Sequence, residues 1–240
     1  MDKILPDVIV SWPRHTDYPL FRQQICDNRS LFKKVIIVFT DMNVQKDYRE
    51  FIKMVMDKDD ITFVDSDPVV SPDDWRNIAV NTGLRYSDAE WVWFTEQDFF
   101  WKEGFWDKVY EYANALIIAV SIQGRMHPCC IFIKRYVLER HTRKDFSVIP
   151  NVSDHFSKIQ EDLQNQLIVW IPDSLYTHMS GLSQNMYLLT CRKFFGKDPR
   201  EIMTYPKEFR KYCEDCLKVT IPMHRDFEEM FNEYIRRSAP

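Results

Sequence analysis

Residues 91–98 read Trp-Val-Trp-Phe-Thr-Glu-Gln-Asp: four large apolar side chains and a threonine that run straight into an acidic pair. A run this short, this apolar and this rich in aromatic and β-branched residues has the pattern of a strand buried on both faces. A strand is expected over residues 91–95, with Glu96, Gln97 and Asp98 at its carboxyl end. Upstream, similar runs stand at residues 7–12 (DVIVSW), 34–40 (KVIIVFT) and 61–64 (ITFV), and helical spacing fills residues 18–26, 48–56 and 75–86 between them. Strands alternating with helices are the signature of β-α-β crossovers, so the fold class is α/β with a mostly parallel central sheet flanked by helices. Open sheets of this kind bind ligands beyond the carboxyl ends of their strands. The acidic pair therefore stands where a site is expected.

The second half is more mixed. Strands are expected at residues 117–123, 129–133 and 168–171, and a helix at 154–167. After Tyr205 the chain is charged and helical, with Glu208, Lys211, Glu214 and Lys218 spaced along one solvated face. The expected organisation is one α/β domain over residues 1–182, with residues 183–240 as a helical C-terminal extension packed on it.

Composition removes several alternatives. The net charge of −4 supplies no basic field for a nucleic acid. Five glycines in 240 residues leave no G-x-G-x-x-G, no P-loop and no G-x-S-x-G elbow. The amino-terminal stretch runs directly into a strand pattern without the apolar region of a signal peptide, and no apolar run has the ~20 residues that cross a bilayer. Six cysteines spread through a chain of this size read as reduced thiols, and the expected location is cytoplasmic. Cys213 and Cys216 have the spacing of a metal hook with His224 nearby, but a fourth ligand is missing, and ordinary thiols are the simpler reading.

Two carboxylates at the end of a buried strand repel each other unless a cation or a hydrogen-bond donor lies between them. Carboxylate oxygens with an imidazole suit Mn²⁺ or Mg²⁺, cations that bridge diphosphates.

From Trp75 to Asp98 the chain resembles the nucleotide-sugar half of GT-A glycosyltransferases, family 2 in particular. The matching residues are Arg76-Asn77, Gly83-Leu84, Trp91-Val92-Trp93-Phe94 and the D-x-D-like Glu96-Gln97-Asp98, with 20 positions from Arg76 to Glu96. Residues 171–178, Ile-Pro-Asp-Ser-Leu-Tyr-Thr-His, are similar to the later family stretch that ends in histidine. The resemblance covers residues 7–180 and departs from the pattern in Glu96, which replaces the first aspartate. It implies a GT-A-like, Rossmann-type fold and a metal-dependent glycosyltransferase that moves a sugar from a nucleoside diphosphate sugar, with UDP as the expected nucleotide. The implied acceptor is a hydroxyl of a glycan, lipid or protein, attacked with inversion.

The implied metal is Mn²⁺ or Mg²⁺, held by Asp98 and His178 with Glu96 as a further candidate; taken alone, His178 reads more readily as a structural histidine. The nucleotide sugar would be lined by Trp12, Pro13, Arg14, Asp41, Arg76, Asn77, Glu96, Gln97 and Asp98, although Asp41 reads equally as a turn residue. Arg125 and His127, in the 124–128 segment, would face the acceptor or the diphosphate unless that segment is a simple turn. The expected catalytic base is Asp154, placed at a helix start with Ser153 as its cap, and the alternatives are Glu161 and Asp162. A sugar nucleotidyltransferase would need a glycine-rich amino-terminal loop, which residues 11–15 lack. The non-enzyme alternative is a degenerate relative that binds a nucleotide or glycan without turnover.

Overall fold

The computed structural model describes residues 4–12, 19–40, 52–53, 56, 60–66, 75–97, 99–122, 124–141, 156–163 and 167–178. Four strands build one half of the main sheet: β1 (Asp7–Trp12), β2 (Lys34–Phe39), β3 (Ile61–Asp65) and β4 (Trp91–Glu96). The other half is β6 (Ile117–Ile122), β7 (Arg125–Lys134) and β8 (Ile168–Trp170). The seven strands run in the order β3-β2-β1-β4-β7-β6-β8. Only β7 is reversed, being antiparallel to both β4 and β6. The sheet is thus mostly parallel and Rossmann-like, and its strand order turns back at β1, with β2 on one side and β4 on the other.

Burial follows the period of two that a doubly covered sheet requires. One face presents Val8, Val10, Val35, Ile37, Trp93 and Phe132 to a core that includes Phe21 and Ile25 of α1 (Pro19–Asp27) and Phe105 and Val109 of α3 (Phe105–Glu111). The other presents Ile9, Ile36, Val38, Val92, Phe94 and Ile131 to Ala79 and Val80 of α2 (Trp75–Leu84). Val137 and Leu138 of α4 (Arg135–His141) and Ile159 of α5 (Ser157–Asp162) complete that core. Gly83 explains how closely α2 lies on β1, because a Cβ there would collide with Ile9 Cγ2. At the opposite end of β1, fully buried Asp7 accepts hydrogen bonds from Ser87 Oγ at 2.8 Å and the backbone N–H groups of Asp88 and Ala89 at 2.7 and 2.9 Å, which fixes the entry to β4.

A second, two-stranded sheet pairs β5 (Phe99–Trp101) antiparallel with β9 (Tyr176–His178), and Phe99 stands opposite His178. Neither strand is among the sequence expectations, nor are α3 and α4. Two expectations need correction. The 124–128 segment, read as a loop or turn, is a turn only at Gly124, which adopts φ 78°; Arg125 already begins the ten residues of β7. The helix expected from residue 154 begins at Ser157 with Phe156 before it, and no side-chain cap bond is made there, so the capping argument for Ser153 and Asp154 does not hold. Asp154 itself, most of the 48–56 helix and all of residues 183–240 lie outside the described residues.

Candidate functional site

The site forms where β4 ends. Glu96 is the last residue of that strand, buried, and in register with Ser11 of β1 across the point where the strand order reverses. A buried carboxylate needs a partner, and Arg76 in the first turn of α2 provides it: its Nε donates to Glu96 Oε1 in an ion pair. The 20-position spacing from Arg76 to Glu96 is one helix, one loop and one strand, and it brings the two side chains together. Glu96 thus has a guanidinium as its counter-ion.

The second oxygen of Glu96 faces His178. Glu96 Oε2 is 3.9 Å from His178 Nε2, and the histidine side chain is only 7% exposed. Residues 82 positions apart meet because β5 leaves β4 almost at once and β9 pairs with it. His127 approaches from β7, with its ring centroid 4.6 Å from that of His178. Cys129, two residues further along β7, donates its backbone N–H to His127 Nδ1 at 3.2 Å. Ser11, Arg76, Thr95, Glu96, Pro128 and Phe156 line an adjacent crevice of ≈ 20 Å³, room for little more than a water. The hydroxyls of Ser11 and Thr40, at the carboxyl ends of β1 and β2, are buried with no hydrogen-bond partner among the described residues. An orphaned buried hydroxyl is a cost that a bound ligand or water removes.

Two nearby ionisable groups are held neutral. Burial pushes the Cys130 thiol well above its ordinary range. Burial also raises the Tyr176 phenol, which donates to Asp173 Oδ1 at 2.7 Å, and the negative charge of that neighbour raises it further.

Of the residues expected to line the nucleotide sugar, Arg76, Glu96 and Gln97 lie together at or beside the end of β4, and Asn77 follows Arg76 on α2, where it accepts from Asn81 Nδ2 at 2.8 Å. Trp12 is a correction: it is fully buried against Phe21 and Phe39 at centroid distances of 6.3 and 6.5 Å, so its ring belongs to the core and offers no face to a base. Pro13, Arg14, Asp41 and Asp98 lie outside the described residues, as does Asp154. Arg125 is exposed on β7, whereas His127 turns toward His178. Glu161 and Asp162 are exposed at the end of α5. Sequence reasoning passed over Cys129. The available signal was His127-x-Cys129, two ligand-type residues within one short segment.

No protein-family model matches this chain, and no curated protein is similar to it. Among solved structures, the chain is similar to glucosyl-3-phosphoglycerate synthase from Mycobacterium tuberculosis in complex with Mn²⁺, uridine diphosphate and glucosyl-3-phosphoglycerate, with 10% identity, 81% of each chain covered and a TM-score of 0.48. It is also similar to a putative glucose-1-phosphate thymidylyltransferase from Bacillus anthracis in complex with a sucrose, with 11% identity, 78% of this chain and 95% of that one covered, and a TM-score of 0.49. The glycosyltransferase GlyE of Streptococcus pneumoniae gives 12% identity, 98% and 64% coverage, and a TM-score of 0.42. At these values the likeness says nothing about residues or chemistry.

Proposed function

We propose that this chain is a glycosyltransferase that takes a nucleoside diphosphate sugar, with UDP as the nucleotide, and transfers the sugar with inversion to an acceptor hydroxyl. The observation that carries the reading is the convergence of Glu96, Arg76 and His178 at the carboxyl end of β4, beside the reversal of strand order at β1. That is where an open α/β sheet places a ligand. The orphaned hydroxyls of Ser11 and Thr40 support a polar ligand along the same edge.

The donor set fits a divalent cation. Glu96 Oε2 and His178 Nε2, 3.9 Å apart, can both reach one ion at about 2.1 Å. Glu96, Asp98 and His178 would hold Mn²⁺ or Mg²⁺, which supplies neutralisation of charge on a departing diphosphate. Arg76 fixes the Glu96 carboxylate so that only one oxygen turns toward the site. Asp154 takes the acceptor proton in this reading, and exposed Arg125 is available to the acceptor.

One experiment separates the outcomes. UDP and a panel of UDP-sugars, each with and without Mn²⁺, are added to the full chain while its melting temperature is followed. A ligand at a hundredfold over its Kd should raise the midpoint by about 5–10 °C. Mn²⁺-dependent release of UDP, lost in Asp98→Asn, is the expected result. The absence of any shift with every nucleotide sinks the reading. A shift without turnover over donors and acceptors instead selects a binding protein that has lost transfer. The Arg76 ion pair favours that second reading, since it already gives Glu96 a counter-ion.

A further inference from the structure

We propose that His127, Cys129 and His178 form a three-ligand site for a borderline-soft divalent cation of the zinc class. One candidate ligand atom from each of the three residues lies within 4.8 Å of the other two. Two imidazoles and a thiolate select Zn²⁺ and its relatives over Mg²⁺ or Mn²⁺, which prefer oxygen. Tetrahedral zinc with bonds of 2.0–2.3 Å spaces such atoms about 3.3–3.7 Å apart, so the trio has to contract by about an ångström. Rotation of the two histidine side chains would have to provide that movement.

The fold accounts for the convergence. His127 and Cys129 lie two residues apart on β7 with Pro128 between them, in the irregular part of its ladder with β6. Between the pairs Ser121↔Met126 and Ala119↔Ile131, β6 contributes Val120 alone while β7 contributes residues 127–130, and such a bulge re-aims the side chains it carries. His178 arrives on β9, fixed by its pairing with Phe99. The two adjacent cysteines differ in their surroundings: Cys130 meets Trp93 in the aromatic core, and Cys129 lies against two imidazoles. Three protein ligands leave the fourth position to water or to Glu96 Oε2, which already faces His178. An ion at His127 Nδ1 would replace the long hydrogen bond from the Cys129 backbone. Binding forms a metal–sulfur bond and releases the Cys129 proton to solvent.

This site does not rest on the glycosyl-transfer reading. His178 is common to both donor sets, so Zn²⁺ and Mn²⁺ should compete for it. The test uses the full chain, stripped with a chelator and titrated with CoCl₂ in the absence of nucleotide. The expected result is one Co²⁺ per chain with a thiolate-to-cobalt charge-transfer absorption, displaced by ZnCl₂ and not by excess MgCl₂. Cys129→Ser should lose the absorption. His127→Gln and His178→Gln should each weaken Co²⁺ binding by at least the 10–100-fold (roughly) that even supporting groups contribute. Persistence of the charge-transfer band in folded Cys129→Ser, or equal affinity in the parent and His127→Gln, overturns the proposal. Should Cys129→Ser fail to fold, His127→Gln decides, because that residue is only half-buried. Loss of every nucleotide response with an intact cobalt site would reject the glycosyl-transfer reading alone.

Discussion

Glu96 can end a buried strand because its two oxygens meet different groups, Arg76 on one side and His178 on the other. Exposed charges behave differently, and Asp88 makes the contrast measurable. Hydrogen bonds from Lys33 and Lys34 hold its carboxyl down from 3.8 to about 2. A carboxylate whose pKa is lower in the folded chain stabilises it above the unfolded pKa, and that contribution disappears as pH falls through the folded one. Acid unfolding should therefore steepen between about pH 4 and pH 2, and Asp88→Asn should flatten that segment in a pH titration followed by circular dichroism. Because both lysines are at least one-third exposed, the difference should shrink in high salt. At this scale the sequence brought Arg76 and Glu96 to one place, as residues lining the nucleotide sugar, but not to each other as an ion pair. Cys129 was passed over because the 124–128 segment before it reads as a turn and not as the start of β7.

Elements were legible in proportion to their length and the cleanness of their period. β1, β2 and β4 have six residues each, buried throughout or nearly so, and their apolar runs announce them. β5 and β9 have three residues each, too few for a period of two to show. β7 was masked at its start by Gly124 and Pro128, the residues that ordinarily punctuate turns. Pro128 is tolerated there because it falls in the irregular stretch of the β6–β7 ladder, where a regular N–H partner is not required. Gly83 illustrates the opposite case, a residue whose local preference is overridden by packing. Glycine weakens a helix interior by about 1 kcal/mol relative to alanine, yet α2 carries it where the helix meets Ile9. Gly83→Ala should consequently destabilise, by about 1–3 kcal/mol, because the methyl group must displace a fully packed strand side chain. Urea unfolding checks the sign: a more stable variant would mean that α2 can slide off β1 without cost.

At the scale of all the described residues, a large sheet carries a small one at the carboxyl end of β4, and His178 belongs to the small one. His178 meets Glu96 through a chain of three contacts: β4 continues into β5, β5 pairs with β9, and β9 ends in the histidine. Phe99 joins both assemblies, since it stands opposite His178 in the ladder and packs against Phe105 of α3 at 5.7 Å and Tyr176 at 5.4 Å. Its complete burial makes truncation expensive, about 3–5 kcal/mol for Phe99→Ala. The effect on the site should exceed the effect on the main sheet, because Phe99 touches the small sheet directly while β1, β2 and β3 pair with one another independently of it. At a denaturant concentration where the variant is still folded, Co²⁺ affinity should fall although neither the thiol nor either imidazole has been changed. Hydrogen exchange would locate the loss: protection should drop at residues 99–101 and 176–178 while β1 and β2 retain theirs. Uniform loss of protection across both sheets would instead make the two a single cooperative unit, and His178 would then be held by the core as a whole rather than by the β5–β9 ladder.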